Sequence, residues 1–113
     1  MESAVLVEKM AGILKEKKAK DIDIMDVSNL TILADYFIIC SGTSIIHIKT
    51  LADELDLKLK EAGVFFHHVE GYESARWILM DYGNVVVHIF HEEERKFYSL
   101  ERLWSDGMIM RKY

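Results

Sequence analysis

The sequence of 113 residues contains no proline and a single cysteine, Cys40. Without proline, the breaks between elements must come from glycine, asparagine, aspartate or serine. One cysteine excludes an internal disulfide, which is typical of a reducing compartment, the cytosol or an organelle, and we predict a cytoplasmic protein. We expect the thiol itself to be a small buried group, as free cysteines usually are.

Long apolar runs and a basic charge balance are also missing. No stretch approaches the roughly 20 apolar residues of a membrane-spanning helix, and the first residues lack the basic start of a signal peptide. We therefore expect no membrane association. The formal net charge of −5 argues against direct, charge-driven binding to nucleic acid, which requires a basic face. An acidic domain remains compatible with a basic protein partner.

The apolar residues that are present predict one α/β domain. They make up 50% of the chain, which is enough for a single core over residues 1–113. Apolar positions at three- and four-residue steps predict helices over 3–18 and 45–62. Alternating or continuous apolar runs predict strands at 21–27, 36–40, 64–69, 77–80 and 85–90.

The order of these elements predicts a mixed sheet. The second helix is long enough for a parallel crossover, and the turn residues of Asp81–Asn84 predict an antiparallel hairpin. A short helix is expected to follow the hairpin and to end near Trp104, and the tail after Gly107 has no clear pattern. We predict a single mixed five-stranded β-sheet flanked by α-helices.

Two patterns could carry enzymatic chemistry. The Ser41–Ser44 segment, between a strand and a helix, could place backbone amides around a phosphate, but it lacks the lysine of a phosphate-binding loop. We favour a helix cap there. Asp21 and Asp23 share one strand face, as two-metal phosphoryl chemistry requires, and Asp81 is a third candidate ligand. Alternating acids are also typical of a solvent-exposed strand face, so we expect both aspartates to face outward.

The histidines do not predict a zinc site. His88 and His91 are three residues apart, a spacing that suits a metal on a helix, but they lie in and just after a predicted strand. The chain has no cluster of cysteine and histidine. We predict no metal and no cofactor.

Aromatic and arginine side chains concentrate in the last third of the chain, and these residue types dominate binding hot spots. Strand alternation places Trp77, Leu79 and Asp81 on one face and Ile78 and Met80 on the other. A face that ends in an aspartate is not expected to be fully buried. We therefore expect Trp77 and Leu79 to form an exposed apolar patch, which usually marks a partner surface.

Five blocks, taken in order, resemble the ribosomal silencing factor family, also called Iojap. The blocks are Ala34–Ser44, Glu70–Tyr72, Trp77–Gly83, Val85–Phe90 and Arg95–Trp104. The resemblance covers about residues 4–107, and the tail after them is variable. Family members often have proline or a basic residue where this chain has Ser74-Ala75.

The resemblance implies a non-enzymatic factor with a fold similar to that of nucleotidyltransferases. Such a factor binds the large ribosomal subunit through its L-fourteen protein, sterically blocks joining with the small subunit and represses translation when nutrients are scarce. The implied partner-binding residues are Arg76, Trp77, Leu79, Asp81, Tyr98 and Leu100.

Two other hypotheses accompany this one. The alternative is a nucleotidyltransferase-like enzyme that uses Asp21 and Asp23 with a nucleotide loop at Ser41–Ser44. The apolar patch around Trp77 could also form a homodimer when no ribosome is present, because exposed apolar patches often mediate association.

Overall fold

A computed structural model describes residues 1–96 and 109–113 of the chain. Its helices are α1 (Ser3–Glu16), α2 (Ile45–Glu61) and the short α3 (Glu92–Arg95). Its strands are β1 (Lys20–Asp26), β2 (Tyr36–Gly42), β3 (His68–Glu70), β4 (Trp77–Asp81), β5 (Val85–His91) and β6 (Ile109–Lys112). The predicted helix that ends near Trp104 lies outside the described residues.

The strands form one mixed sheet in the order β3-β4-β5-β2-β1-β6. In this sheet β2 and β5 run parallel, and the other neighbouring strands run antiparallel. The crossover that starts with α2 therefore ends at β5, after the chain has passed through β3 and β4. The predicted mixed α/β sheet is confirmed, but the described residues form six strands instead of five.

The sixth strand comes from the tail for which the sequence showed no clear pattern. β6 pairs with β1 at the sheet edge, where Met110 lies opposite Met25. Arg111 in this strand forms an ion pair with Glu8 of α1. Four residues are too few to show a clear two-residue alternation, and β6 forms only because it hydrogen-bonds to β1. The sequence pattern therefore could not predict it.

The third strand is shorter than the predicted 64–69, and the first residue of that run belongs to the end of α2. The backbone N–H of Val64 donates to the carbonyl of Leu59 at 2.8 Å, and that of Gly63 donates to Lys60 at 2.9 Å. Gly63 has φ +77°. These bonds form the Schellman arrangement that ends helices. Backbone hydrogen bonding to β4 begins with the N–H of His67, which donates to the Asp81 carbonyl at 2.7 Å, and the paired strand starts at His68.

Helices α1 and α2 pack on one side of the sheet, which we call the helix face. Their inward side chains meet those of the strands in one continuous core, which includes Leu14, Leu55, Ile38, Ile78 and Ile89. Cys40 belongs to this core, as predicted, and its burial raises the pKa of the thiol to about 12. A thiol in this environment stays protonated and unreactive at neutral pH.

Candidate functional site

The side of the sheet opposite the helices carries a smaller and more aromatic cluster, which we call the aromatic face. Its buried members are Met25, Val27, Ala34, Ile39 and Phe90, with Phe37, Trp77 and Val86 packed against them. The alternation of β4 places Trp77, Leu79 and Asp81 on this face and buries Ile78 and Met80 under the helices, as predicted.

Trp77 is held in one orientation by its neighbours on β5. Its ring stacks on Phe90, which lies opposite it across the strands, with centroids 4.8 Å apart and planes 24° apart. The indole Nε1–H donates to Nδ1 of buried His88 at 3.1 Å. Phe37 packs edge-on against the His88 ring, with the two ring centroids 4.9 Å apart. Trp77 is half-buried, so the expectation of an exposed side chain is wrong.

Leu79 is also half-buried. It lines a hollow next to Trp77. The hollow has a volume of about 280 Å³. It is lined by Thr31, Leu33, Ala34, Phe37, Leu79, Asp81, Val86 and His88. One wall is therefore β4, and the other is the 27–35 loop that joins β1 to β2.

The loop contributes apolar residues that the sequence analysis missed. Leu33 is 83% exposed at the rim of the hollow, and the neighbouring Ile32 is fully exposed. A signal was available, since Ile32 and Leu33 are consecutive large apolar residues in a segment that belongs to neither strand. Exposed apolar residues grouped beside a hollow mark a contact surface more clearly than scattered ones do.

Arg76 and Asp81 flank the two strand residues and have partners within the chain. Arg76 precedes β4, and its Nη1 lies 3.0 Å from Oε1 of Glu94 in α3. Asp81 ends β4, and its Oδ1 accepts a hydrogen bond of 2.8 Å from the backbone N–H of Gly83 in the hairpin turn. The structure thus brings Arg76, Trp77, Leu79 and Asp81 together, whereas Tyr98 and Leu100 lie outside the described residues.

Asp23 contradicts the expectation that both strand acids face solvent. It is only 2% exposed. Its Oδ2 lies 2.8 Å from Nη2 of Arg95, and its Oδ1 lies 2.9 Å from Nζ of Lys112. The register of β1 shifts between Lys20 and Asp23, and Asp21 within this irregularity has φ +48°. The two acids therefore lie in different environments despite their spacing.

The cations around Asp23 make it a poor metal ligand. Arg95 also donates to the Asp21 carbonyl at 2.6 Å and to Ser41 Oγ at 3.0 Å, which ties β1, β2 and α3 together. Both carboxylate oxygens of Asp23 face a positive charge, so a buried ion pair explains the acid without a ligand. In residues 1–96 and 109–113, no group of three or more potential ligands could hold a metal ion.

The Ser41–Ser44 segment is a helix cap. Ser44 Oγ accepts a hydrogen bond of 3.0 Å from the N–H of His47, in the first turn of α2. The N–H of Thr43 donates to Nδ1 of the same histidine at 3.0 Å. These bonds satisfy amides that a bound phosphate would otherwise need. Neither feature behind the nucleotidyltransferase hypothesis is therefore supported: Asp21 and Asp23 are not a pair of exposed acids, and Ser41–Ser44 is a helix cap instead of a nucleotide loop.

Comparison with known proteins gives a consistent match over nearly the whole chain. The family described as ribosomal silencing factor during starvation matches residues 1–112. The ribosomal silencing factors of Halalkalibacterium halodurans and Bacillus subtilis are each 39% identical over 107 residues, which is 95% of this chain and 92% and 91% of theirs. A crystal structure of a Chromobacterium violaceum protein superposes with a TM-score of 0.90 at 40% identity, covering 93% of this chain and 88% of that one.

The origins of the relatives bear on localisation. They come from bacteria or carry names that place them in mitochondria or chloroplasts. In the described parts of the chain, no helix is long and apolar enough to cross a membrane.

Proposed function

This chain belongs to the ribosomal silencing factor family, and we propose that it binds the large ribosomal subunit through a protein of the L-fourteen type. The family consists of non-enzymatic factors, so the chain is not an enzyme. Bound to the large subunit, it would sterically block joining with the small subunit and so repress translation. We propose that it acts in the cytoplasm.

The observation that carries this proposal is the arrangement of Trp77 on the aromatic face. Its indole is half-buried and is fixed by the stack on Phe90 and the bond to His88. A large aromatic side chain that is already ordered loses little conformational entropy on binding. Tryptophan is also enriched among the few residues that supply most binding energy. The face therefore offers a rigid anchor to a partner.

Charge supports a ribosomal protein as the partner. The chain has a formal net charge of −5, and ribosomal proteins are generally basic. Complementary charge speeds association and sets the orientation of the partners, whereas apolar contacts supply most of the affinity. A factor that works by obstruction needs only placement and bulk, not a reactive group.

The test is co-sedimentation of the Trp77→Ala variant with purified large subunits. We expect binding to weaken about ten-fold or more, as hot-spot truncations do. The matched control is Ile46→Ala, which removes an exposed apolar side chain from α2 on the other side of the sheet. Thermal unfolding of both variants separates lost contact from lost fold. Equal binding of a folded Trp77→Ala variant and the wild type would remove the aromatic face as the binding surface.

We also propose that the free protein forms a homodimer through the aromatic face. Half-buried Trp77 and exposed Leu33 would then be covered by a second copy until the large subunit competes for them. Light scattering at micromolar concentration, with and without the Trp77→Ala change, measures this. A wild-type protein that stays monomeric at every concentration contradicts the proposal.

A further inference from the structure

The hollow beside Trp77 has two walls from distant parts of the sequence. Leu33 of the 27–35 loop forms one rim, and Leu79 of β4 forms the other. Phe37 and Val86 line the hollow as well. Its volume is about 280 Å³, which is enough space for one long side chain.

The carboxylate of Asp81 restricts which kind of side chain can occupy the hollow. This carboxylate lines the hollow, and among residues 1–96 and 109–113 the turn N–H of Gly83 donates to its Oδ1 while Oδ2 has no hydrogen-bond donor. A purely apolar occupant would remove water from this carboxylate without replacing it, which costs free energy. A lysine or arginine avoids that cost, because its stem packs on apolar surface while its charged head meets an acid.

We propose that the hollow receives one lysine or arginine side chain of the large-subunit partner. The stem lies against Leu33 and Leu79, and the cationic head lies at Asp81. The hollow adjoins Trp77 through His88, which lines it and accepts the indole N–H, and the formal net charge of −5 favours a cationic occupant. This inference rests on the proposed function and assigns the 27–35 loop to the same contact surface.

The loop provides its own matched control. Leu33 and Ile32 are neighbours and both are highly exposed, but only Leu33 lines the hollow. We expect Leu33→Ser to weaken co-sedimentation with purified large subunits about ten-fold, and Ile32→Ser to change it by less than about two-fold. Neither change should alter the unfolding midpoint, because both side chains are exposed. Equal effects of the two variants, or no effect of Leu33→Ser, would overturn the assignment.

The charge of the occupant is tested with Asp81→Asn. An asparagine Oδ1 can still accept from the N–H of Gly83, so the turn is retained while the charge is lost. We expect binding about five-fold weaker at low salt and a shallower loss of binding as salt rises, because one charge pair is missing. A salt dependence identical to that of the wild type would exclude a cationic head at Asp81.

The same measurements separate this inference from the proposed function. If Trp77→Ala weakens binding and Leu33→Ser does not, the aromatic face binds the subunit and the hollow stays unused. If neither variant weakens binding, the proposed surface itself is wrong. If Leu33→Ser affects only the light-scattering mass of the free protein, a second copy fills the hollow, and the inference is overturned.

Discussion

The two faces of the sheet are built from different kinds of side chain. On the helix face, aliphatic residues such as Ile38, Ile78 and Ile89 meet the two long helices, and no water reaches them. On the aromatic face, rings of Phe37, Trp77 and His88 contact each other, and apolar side chains stay partly exposed beside a hollow.

This difference separates residues that maintain the fold from residues available for binding. Close-packed aliphatic cores lose stability whenever a side chain is shortened, because the neighbours cannot fill the gap. A half-buried aromatic surface contributes less to folding and keeps contact area for a partner. Mutations of half-buried residues on the aromatic face should therefore weaken binding more than stability, and mutations of buried residues on the helix face should do the reverse.

The largest contrast is expected between Leu55→Ala on the helix face and Leu79→Ala on the aromatic face. Leu55 is fully buried, and its truncation should cost about 3 kcal/mol of unfolding free energy, with binding by the folded fraction unchanged. Leu79 is half-buried, so its truncation should cost less than about 1 kcal/mol while weakening co-sedimentation. Urea denaturation measures the stabilities. Equal stability losses would contradict the division between the faces.

An intermediate effect is expected for Arg95→Met, which removes one cation from buried Asp23. Lys112 remains 2.9 Å from the other carboxylate oxygen, so the loss should be about 2 kcal/mol, below that of a fully unpaired buried charge. Arg76→Met is the matched control, because the Arg76 side chain in the ion pair with Glu94 is 57% exposed, and such a surface pair should contribute under about 0.5 kcal/mol. Urea denaturation of both variants measures the two losses of unfolding free energy. A loss from Arg95→Met no larger than that from Arg76→Met would show that the buried pair is not structural.

A smaller loss of stability than that from Arg95→Met is expected for His88→Phe, which keeps a ring against Phe37 but removes the acceptor for Trp77. The stack of Trp77 on Phe90 remains, so the unfolding free energy should fall by only about 1 kcal/mol, as expected for the loss of one hydrogen bond. Binding to large subunits should still weaken about three-fold, because the anchor becomes mobile.

His88→Asn tests whether the hydrogen bond itself matters, because the asparagine side-chain oxygen can accept the Trp77 indole N–H in place of the histidine nitrogen. It should restore part of the affinity that His88→Phe loses, at similar stability. If both variants bind as the wild type does, the orientation of Trp77 does not depend on this bond.

Local patterns predicted much of this architecture. Two-residue alternation correctly separated Trp77 from Ile78, and Ser44 was correctly predicted as part of a helix cap. Contacts between distant residues were not predictable in this way. Asp23 and Arg95 are 72 positions apart, and nothing in the alternating pattern around Asp23 distinguishes an ion-paired acid from a solvated one.

By itself, the sequence determined the two long helices, the β4–β5 hairpin, the burial of Cys40 and the family to which the chain belongs. These follow from periodicity, turn chemistry and ordered blocks of residues, all of which are local. Only the tertiary structure placed β6 beside β1, paired Asp23 with Arg95 and brought Leu33 to the rim of the hollow beside Leu79. Those arrangements depend on strand order and long-range packing, which local backbone preferences do not specify.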